Sequence, residues 1–226
     1  MEHIDRAQLY KDTVYRFQYV ANFMDFGEED IAAIKGAAEL LKPLVPAVVN
    51  AVYAKLHQFD ITWEVMAKRH EGFTPSKSVI EDSAQLTEDA EQIKFRKDML
   101  SRYFARLLEN PYDERMIKYL DYVARIHTDT PNKKSKINVD LIHINALLGY
   151  VETVLIGGVK SLNLDRDTEF KAVTAFGKLL WIQNDFFIKF YCRDGAEYLE
   201  TPASTATIAV VSRKQGFFAR LLSLLF

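Results

Sequence analysis

Apolar side chains recur at steps of three and four along most of the chain, which is the spacing of the buried face of an α-helix. One helix is predicted to begin at Glu28, the first of three consecutive acidic residues, because negative charge suits the first turn of a helix. Its apolar face comprises Ile31, Ile34, Ala38 and Leu41. The same spacing predicts further helices over 49–56, 93–107 and 116–127.

Prolines and small polar residues interrupt this pattern. Pro43 and Pro46 predict a kink, because proline has no N–H to donate within a helix. The stretch 71–88 loses its periodicity and has the composition of a loop, and Asn110-Pro111 and Thr130-Pro131 each end a predicted helix. We find no credible strand hairpin between these breaks, so the predicted fold class is all-α.

Two later segments, 137–162 and 168–192, are apolar nearly all round. Helices of this kind are expected in the middle of a bundle rather than on its surface. We therefore expect one helical domain over 1–198, with about seven or eight helices. A linker and an apolar, basic tail are expected over 199–226.

Composition narrows the class of protein. The chain has 226 residues, of which 49% are hydrophobic and only 9 are glycine, as in a globular helical protein. Its 29 basic and 31 acidic side chains nearly cancel, so there is no global charge to attract nucleic acid. A single cysteine, Cys192, excludes an internal disulfide. Without an apolar leader or about 20 uninterrupted apolar residues, no membrane span is predicted and we expect a cytoplasmic location.

The histidines are the main candidates for chemistry, and no two of them have the spacing of a zinc-binding helix pair. His127 continues the apolar stripe of Met116, Leu120 and Val123, so its ring points to the inner side of its helix. One interpretation is a core histidine bonded to a backbone carbonyl. The other is an axial haem ligand whose second ring nitrogen donates to a carbonyl of its own helix.

Tyr53 allows two similar interpretations. It follows Val49 and Val52 on the kinked second helix, so its ring is expected to be buried and its hydroxyl to need a partner. It is either an ordinary core tyrosine or, opposite a haem, the hydrogen-bond donor to a bound ligand. Leu100, Tyr103 and Phe104 supply a bulky wall on a third helix.

Four short motifs occur in one order along the chain. They are Ala51-Val52-Tyr53-Ala54-Lys55-Leu56, Leu100-Ser101-Arg102-Tyr103, Pro111-Tyr112-Asp113 and Tyr122-Val123-Ala124-Arg125-Ile126-His127. In this order and at these separations they resemble the protoglobins and the globin domains of globin-coupled sensors. The run Phe186-Phe187-Ile188-Lys189-Phe190-Tyr191 is similar to the end of that family's last helix. The resemblance extends over about 15–195.

The resemblance implies a globin-like helical sandwich with an extra N-terminal helix and one haem b. His127 matches the proximal iron ligand, Tyr53 the distal tyrosine, and Leu100 a bulky apolar residue over the haem. We expect the rest of the haem pocket to include Phe104, Val123 and Leu147. Val52 departs from the family, where a tryptophan often precedes the distal tyrosine.

The function implied is reversible binding of O2, CO or NO for sensing, storage or scavenging, and gas binding is favoured over catalysis. Two alternatives stay open: a haem-free signalling or interaction module, and a haem enzyme acting on nitric oxide or peroxide. No acid–base pair is evident over 93–107, which argues against peroxidase chemistry. The family often pairs through its late helices, so a homodimer through 137–162 and 168–192 is expected. The segment 213–226 is interpreted as a contact with a membrane surface or a protein, or as a helix folded back on its own domain or dimer mate.

Overall fold

A computed structural model describes residues 1–70, 72–76, 78–131, 133 and 137–199, and no strand occurs in these ranges. The predicted all-α class is confirmed. The α-helices are α1 Arg6–Lys11, α2 Thr13–Phe23, α3 Glu28–Leu41, α4 Val45–His57, α5 Asp60–Ala67, α6 Glu91–Glu109, α7 Glu114–His127, α8 Leu141–Ser161, α9 Arg166–Ile188 and α10 Ala196–Leu199. Apart from Leu199, the predicted linker and tail over 199–226 lie outside the described residues.

Helix α3 begins and ends where its sequence pattern predicts. The Asp30 carboxylate accepts a hydrogen bond from the backbone N–H of Gly27 at 3.0 Å, which helps to fix the first turn at Glu28. Pro43 lies in a 3-10 turn over Lys42–Leu44 that leads directly into α4. The two prolines therefore redirect the chain between α3 and α4 without separating the two helices by a loop.

Helix α5 was not predicted from the sequence. It has eight residues and buries only Trp63 and Ala67, so its apolar pattern is too short to stand out. The Trp63 indole N–H donates to the Leu86 carbonyl at 2.9 Å, which ties α5 to the loop that precedes α6. This tie determines where the chain enters α6.

Helices α8 and α9 differ in burial, although both are apolar nearly all round. Ten residues of α9 are buried, and it packs against α3, α7 and α8 as a central helix. Only Ile144, Val151 and Val159 of α8 are buried, so the prediction that α8 lies in the middle is wrong for a single chain. An all-round apolar pattern cannot distinguish burial within one chain from burial against another surface.

Helix α8 is also the one helix in the described ranges that is long and apolar enough to cross a membrane, which departs from the expectation of no such segment. Length and composition are weak grounds for a membrane span, because core helices of soluble proteins meet the same criterion. Its close packing against α9 suits a helix of the bundle.

The remaining helices form two packing groups. Helix α6 packs against α3 and α4, whereas α7 packs against α2 and α9. Helix α2 is fastened to α9 by a bidentate ion pair in which the Arg16 guanidinium donates to both Asp185 oxygens at 2.7 Å. Tyr53 on α4 and His127 on α7 are therefore carried by different groups of helices.

Candidate functional site

His127 is the last residue of α7, and its ring orientation is set by its own helix. Its Nδ1 lies 2.7 Å from the carbonyl oxygen of Val123, one turn earlier. Because a carbonyl oxygen only accepts hydrogen bonds, Nδ1 carries the proton. Burial lowers the pKa of His127, although the bond to Val123 opposes this effect. The ring is therefore neutral at neutral pH, and Nε2 has a free lone pair.

The first turn of α7 is held by a side-chain cap. The Asp113 carboxylate accepts a hydrogen bond from the backbone N–H of Met116 at 3.0 Å, which is an N-cap. Leu120 and Ala124 then lie fully buried on the inner face of the helix. His127 follows Leu120 and Ala124 at helical spacing, so its ring lies on the inner side of α7, as the sequence analysis predicts.

Aromatic rings form one wall beside His127. The Phe187 ring lies 5.8 Å from the imidazole, centre to centre, with an edge-on angle of 71°. Of the aromatic run expected near His127, Phe187 makes this contact, whereas Phe186 stacks on Phe17 at 6.4 Å. The run thus serves both the candidate site and the attachment of α2.

Tyr53 lies on α4 and is only 6% exposed. Among the described residues its hydroxyl has no hydrogen-bond partner. Burial raises the pKa of Tyr53, and the positive charge of Arg96 opposes this rise. The hydroxyl is therefore protonated at neutral pH and free to donate.

Arg96 is the site residue to which the sequence analysis assigned no role. It is 5% exposed on α6, and its Nη2 donates to the Lys68 carbonyl at 2.6 Å. Its Nε is buried without a hydrogen-bond partner, and no carboxylate of the described residues pairs with it. Its positive charge lowers the pKa values of both Tyr53 and His127. The signal in the sequence was a charged residue on the apolar stripe of α6.

The other predicted pocket residues are buried to different extents. Leu100 is partly buried one turn after Arg96 on α6, and Val123 supplies the carbonyl that holds His127. Leu147 on α8 is partly buried against the common core. Phe104 is buried and also lines a separate apolar cavity between helices.

The cavity beside Phe104 has a volume of about 30 Å³, room for one or two water-sized molecules. Its walls come from α3, α4, α6, α8 and α9 and include Val48, Leu155 and Leu179. Its size excludes a porphyrin, so this cavity does not serve as a haem site.

A metal held directly by several side chains has no site in the ranges that the structure describes. No three histidine, cysteine, aspartate or glutamate side chains converge there. His127 therefore offers one nitrogen ligand, which suits a metal that a cofactor already holds by its other positions.

A protein-family model for the protoglobins matches residues 13–197. The chain belongs to the Protoglobin family. The match begins at the first residue of α2 and ends within α10, so the resemblance based on four short motifs is confirmed. Protoglobins have a globin fold and typically bind haem as gas sensors. No curated protein matches the chain.

Proposed function

We propose that this protoglobin binds one haem b through Nε2 of His127 and that the haem reversibly binds O2, CO or NO. The observation that carries the proposal is the orientation of His127. Its Nδ1–H is engaged with the Val123 carbonyl at 2.7 Å, which leaves Nε2 unprotonated on a partly buried ring beside Phe187. This is the arrangement of a neutral imidazole that serves as a metal ligand.

The residues of the candidate site fit a haem in three respects. Nε2 supplies one ligand, and Phe187 and Leu100 supply apolar surface for a flat macrocycle. The Tyr53 hydroxyl and the Arg96 guanidinium are buried donors with unused capacity. When bound, the haem would supply the iron to which a diatomic gas attaches.

The protein's own contribution is to hold these groups in place. The bond from His127 to Val123 prevents rotation of the imidazole and fixes its tautomer. The raised pKa of Tyr53 keeps its proton available for donation to a polar ligand. Burial of both side chains strengthens each interaction by excluding water.

Replacing Tyr53 by Phe tests its assigned role as the donor. We expect O2 to dissociate about 3- to 10-fold faster from the haem-loaded variant, the effect of losing one neutral hydrogen bond. Stopped-flow displacement of O2 by CO measures this rate. Tyr122→Phe is the matched control, because Tyr122 on α7 is 56% exposed and its loss of a hydroxyl should not change the rate.

An unchanged O2 dissociation rate in Tyr53→Phe would show that the hydroxyl does not contact the ligand.

The same preparations of the chain distinguish gas binding from the two alternative functions. Failure of the full chain to take up haem would favour the haem-free interaction module. Turnover of nitric oxide or peroxide by the loaded chain would favour the enzyme.

We also propose that two chains pair through α8. The support is its surface: the helix is nearly all apolar, only 17% of its most apolar stretch is buried, and Ile142 is 71% exposed. Burial of such a face against a second copy removes apolar area from water, as in homodimer interfaces.

Ile142→Glu is expected to convert this dimer to a monomer, because the substitution places a charge within the exposed apolar face of α8. Sedimentation velocity measures the change in mass. The control is Ile61→Glu on α5, since Ile61 is also exposed, at 54%, and lies on another helix. A dimer that survives in Ile142→Glu, or a monomeric unaltered chain, would contradict the proposal.

On the sequence alone, we further propose that the chain is cytoplasmic. The segment 213–226, which lies outside the described residues, is proposed to contact a membrane surface or a protein partner through its mixture of basic and apolar residues.

A further inference from the structure

Arg96 is a buried cation whose charge no carboxylate among the described residues neutralises. Its exposure is 5%, its Nη2 donates to a neutral carbonyl, that of Lys68, and its Nε has no partner. Burying an unpaired charge is costly, and proteins usually offset the cost with an opposite charge. The missing partner of Arg96 is therefore an anion that the described part of the chain does not supply.

The position of Arg96 limits where that anion binds. Leu100 lies one turn further along α6, and Lys97, the residue after Arg96, places its ammonium 5.7 Å from the centre of the Tyr53 ring. Helix α6 packs directly on α4, which carries Tyr53. Arg96 and Tyr53 therefore lie on two helices that contact each other; among the described residues, the Arg96 Nε and the Tyr53 hydroxyl have no hydrogen-bond partner.

We propose that Arg96 makes this pocket a binding site for small anions, which its guanidinium and the Tyr53 hydroxyl hold as paired hydrogen-bond donors. The proposal rests on the haem binding proposed above and extends it from neutral gases to anionic ligands of ferric haem, such as fluoride and azide. Hydrogen bonds from a cation to an anion are stronger than those between neutral groups, so Arg96 contributes more than Tyr53.

The haem's own carboxylates are the competing anion for Arg96. They remain charged at neutral pH and favour contact with water. Exposed cations suit such groups better than a buried one, and the chain offers Lys68, which is exposed, and Lys133, which is partly exposed. Arg96, which is almost fully buried, is left for a small anion inside the pocket.

The test is an absorption titration of the full chain, loaded with ferric haem, with sodium fluoride and sodium azide. In Arg96→Gln we expect the Kd for fluoride to rise about 10- to 100-fold, and in Arg96→Lys to rise less, because a positive charge is kept. Binding of CO to the ferrous protein should weaken by a smaller factor than binding of fluoride, because CO carries no charge to pair with the guanidinium.

Arg102→Gln is the matched control. Arg102 lies on the same helix, but its side chain is 73% exposed and pairs with Asp98. Its removal should leave the fluoride affinity unchanged. Tyr53→Phe is a second variant that does not depend on the folding of the Arg96 variants, and it should weaken fluoride binding by a smaller factor than Arg96→Gln.

Equal fluoride affinity in the unaltered chain and Arg96→Gln would overturn this inference and leave the haem proposal standing. Unchanged fluoride binding in Tyr53→Phe would overturn the paired-donor site. Loss of haem uptake in Arg96→Gln, restored by Arg96→Lys, would also overturn the inference, because the cation would then hold the haem carboxylates. Absence of haem uptake by the unaltered chain would overturn both proposals.

Discussion

Replacing His127 by Gly is expected to weaken haem binding by more than about 100-fold, because even loss of a group that only supports a metal ligand costs about 10- to 100-fold. The variant removes the imidazole and leaves the rest of α7 intact. Titration of the haem-free protein with haem, followed at the Soret band, measures the affinity. Added imidazole should restore part of the binding, since it can occupy the space of the missing ring.

His3→Ala is the control for this experiment. His3 is exposed near the N-terminus and makes no part of the core, so its removal should leave the haem affinity unchanged. Equal haem affinity in His127→Gly and the unaltered chain would show that His127 is an ordinary core histidine. Circular dichroism of both variants separates loss of a ligand from loss of the fold.

Phe186→Ala has the largest expected effect on stability. Phe186 is 1% exposed and stacks on Phe17, so it joins the central helix α9 to α2. Truncation of a buried phenylalanine costs about 3–5 kcal/mol through lost apolar burial and the cavity left behind. For a chain of this size we expect Tm to fall by roughly 6–20 °C.

Phe23→Ala is the matched control, because Phe23 on α2 is 78% exposed. Its free energy of unfolding should change by less than about 0.5 kcal/mol, as for most surface positions. Urea denaturation of the haem-free proteins measures both values without a contribution from ligand binding. Similar stabilities for Phe186→Ala and Phe23→Ala would contradict the central position of α9.

The long helices were predictable because their local signals agree. Helix α3 combines an acidic first turn with an apolar stripe, and Pro43 lies two residues after its end. Helix α5 was not predicted, because only two of its eight residues are buried and two positions do not define a helical period. The surface position of α8 was unpredictable in principle, since its composition suits both a core and an interface.

The candidate site was predictable only in part. His127 and Tyr53 stand on apolar faces, so spacing and family resemblance could single them out. Arg96 also lies on the apolar face of its helix, but the sequence does not show which groups a charged side chain contacts there. Its influence on the pKa values of Tyr53 and His127 acts between three different helices, and the spacing along one helix carries no information about such an effect.

The central claim is that Nε2 of His127 binds the haem iron, and resonance Raman spectroscopy of the ferrous, ligand-free protein tests it most directly. We predict an iron–nitrogen stretching band that shifts when the histidines are labelled with ¹⁵N and disappears in His127→Gly. A band that persists unchanged in His127→Gly, at full haem occupancy, would contradict the claim.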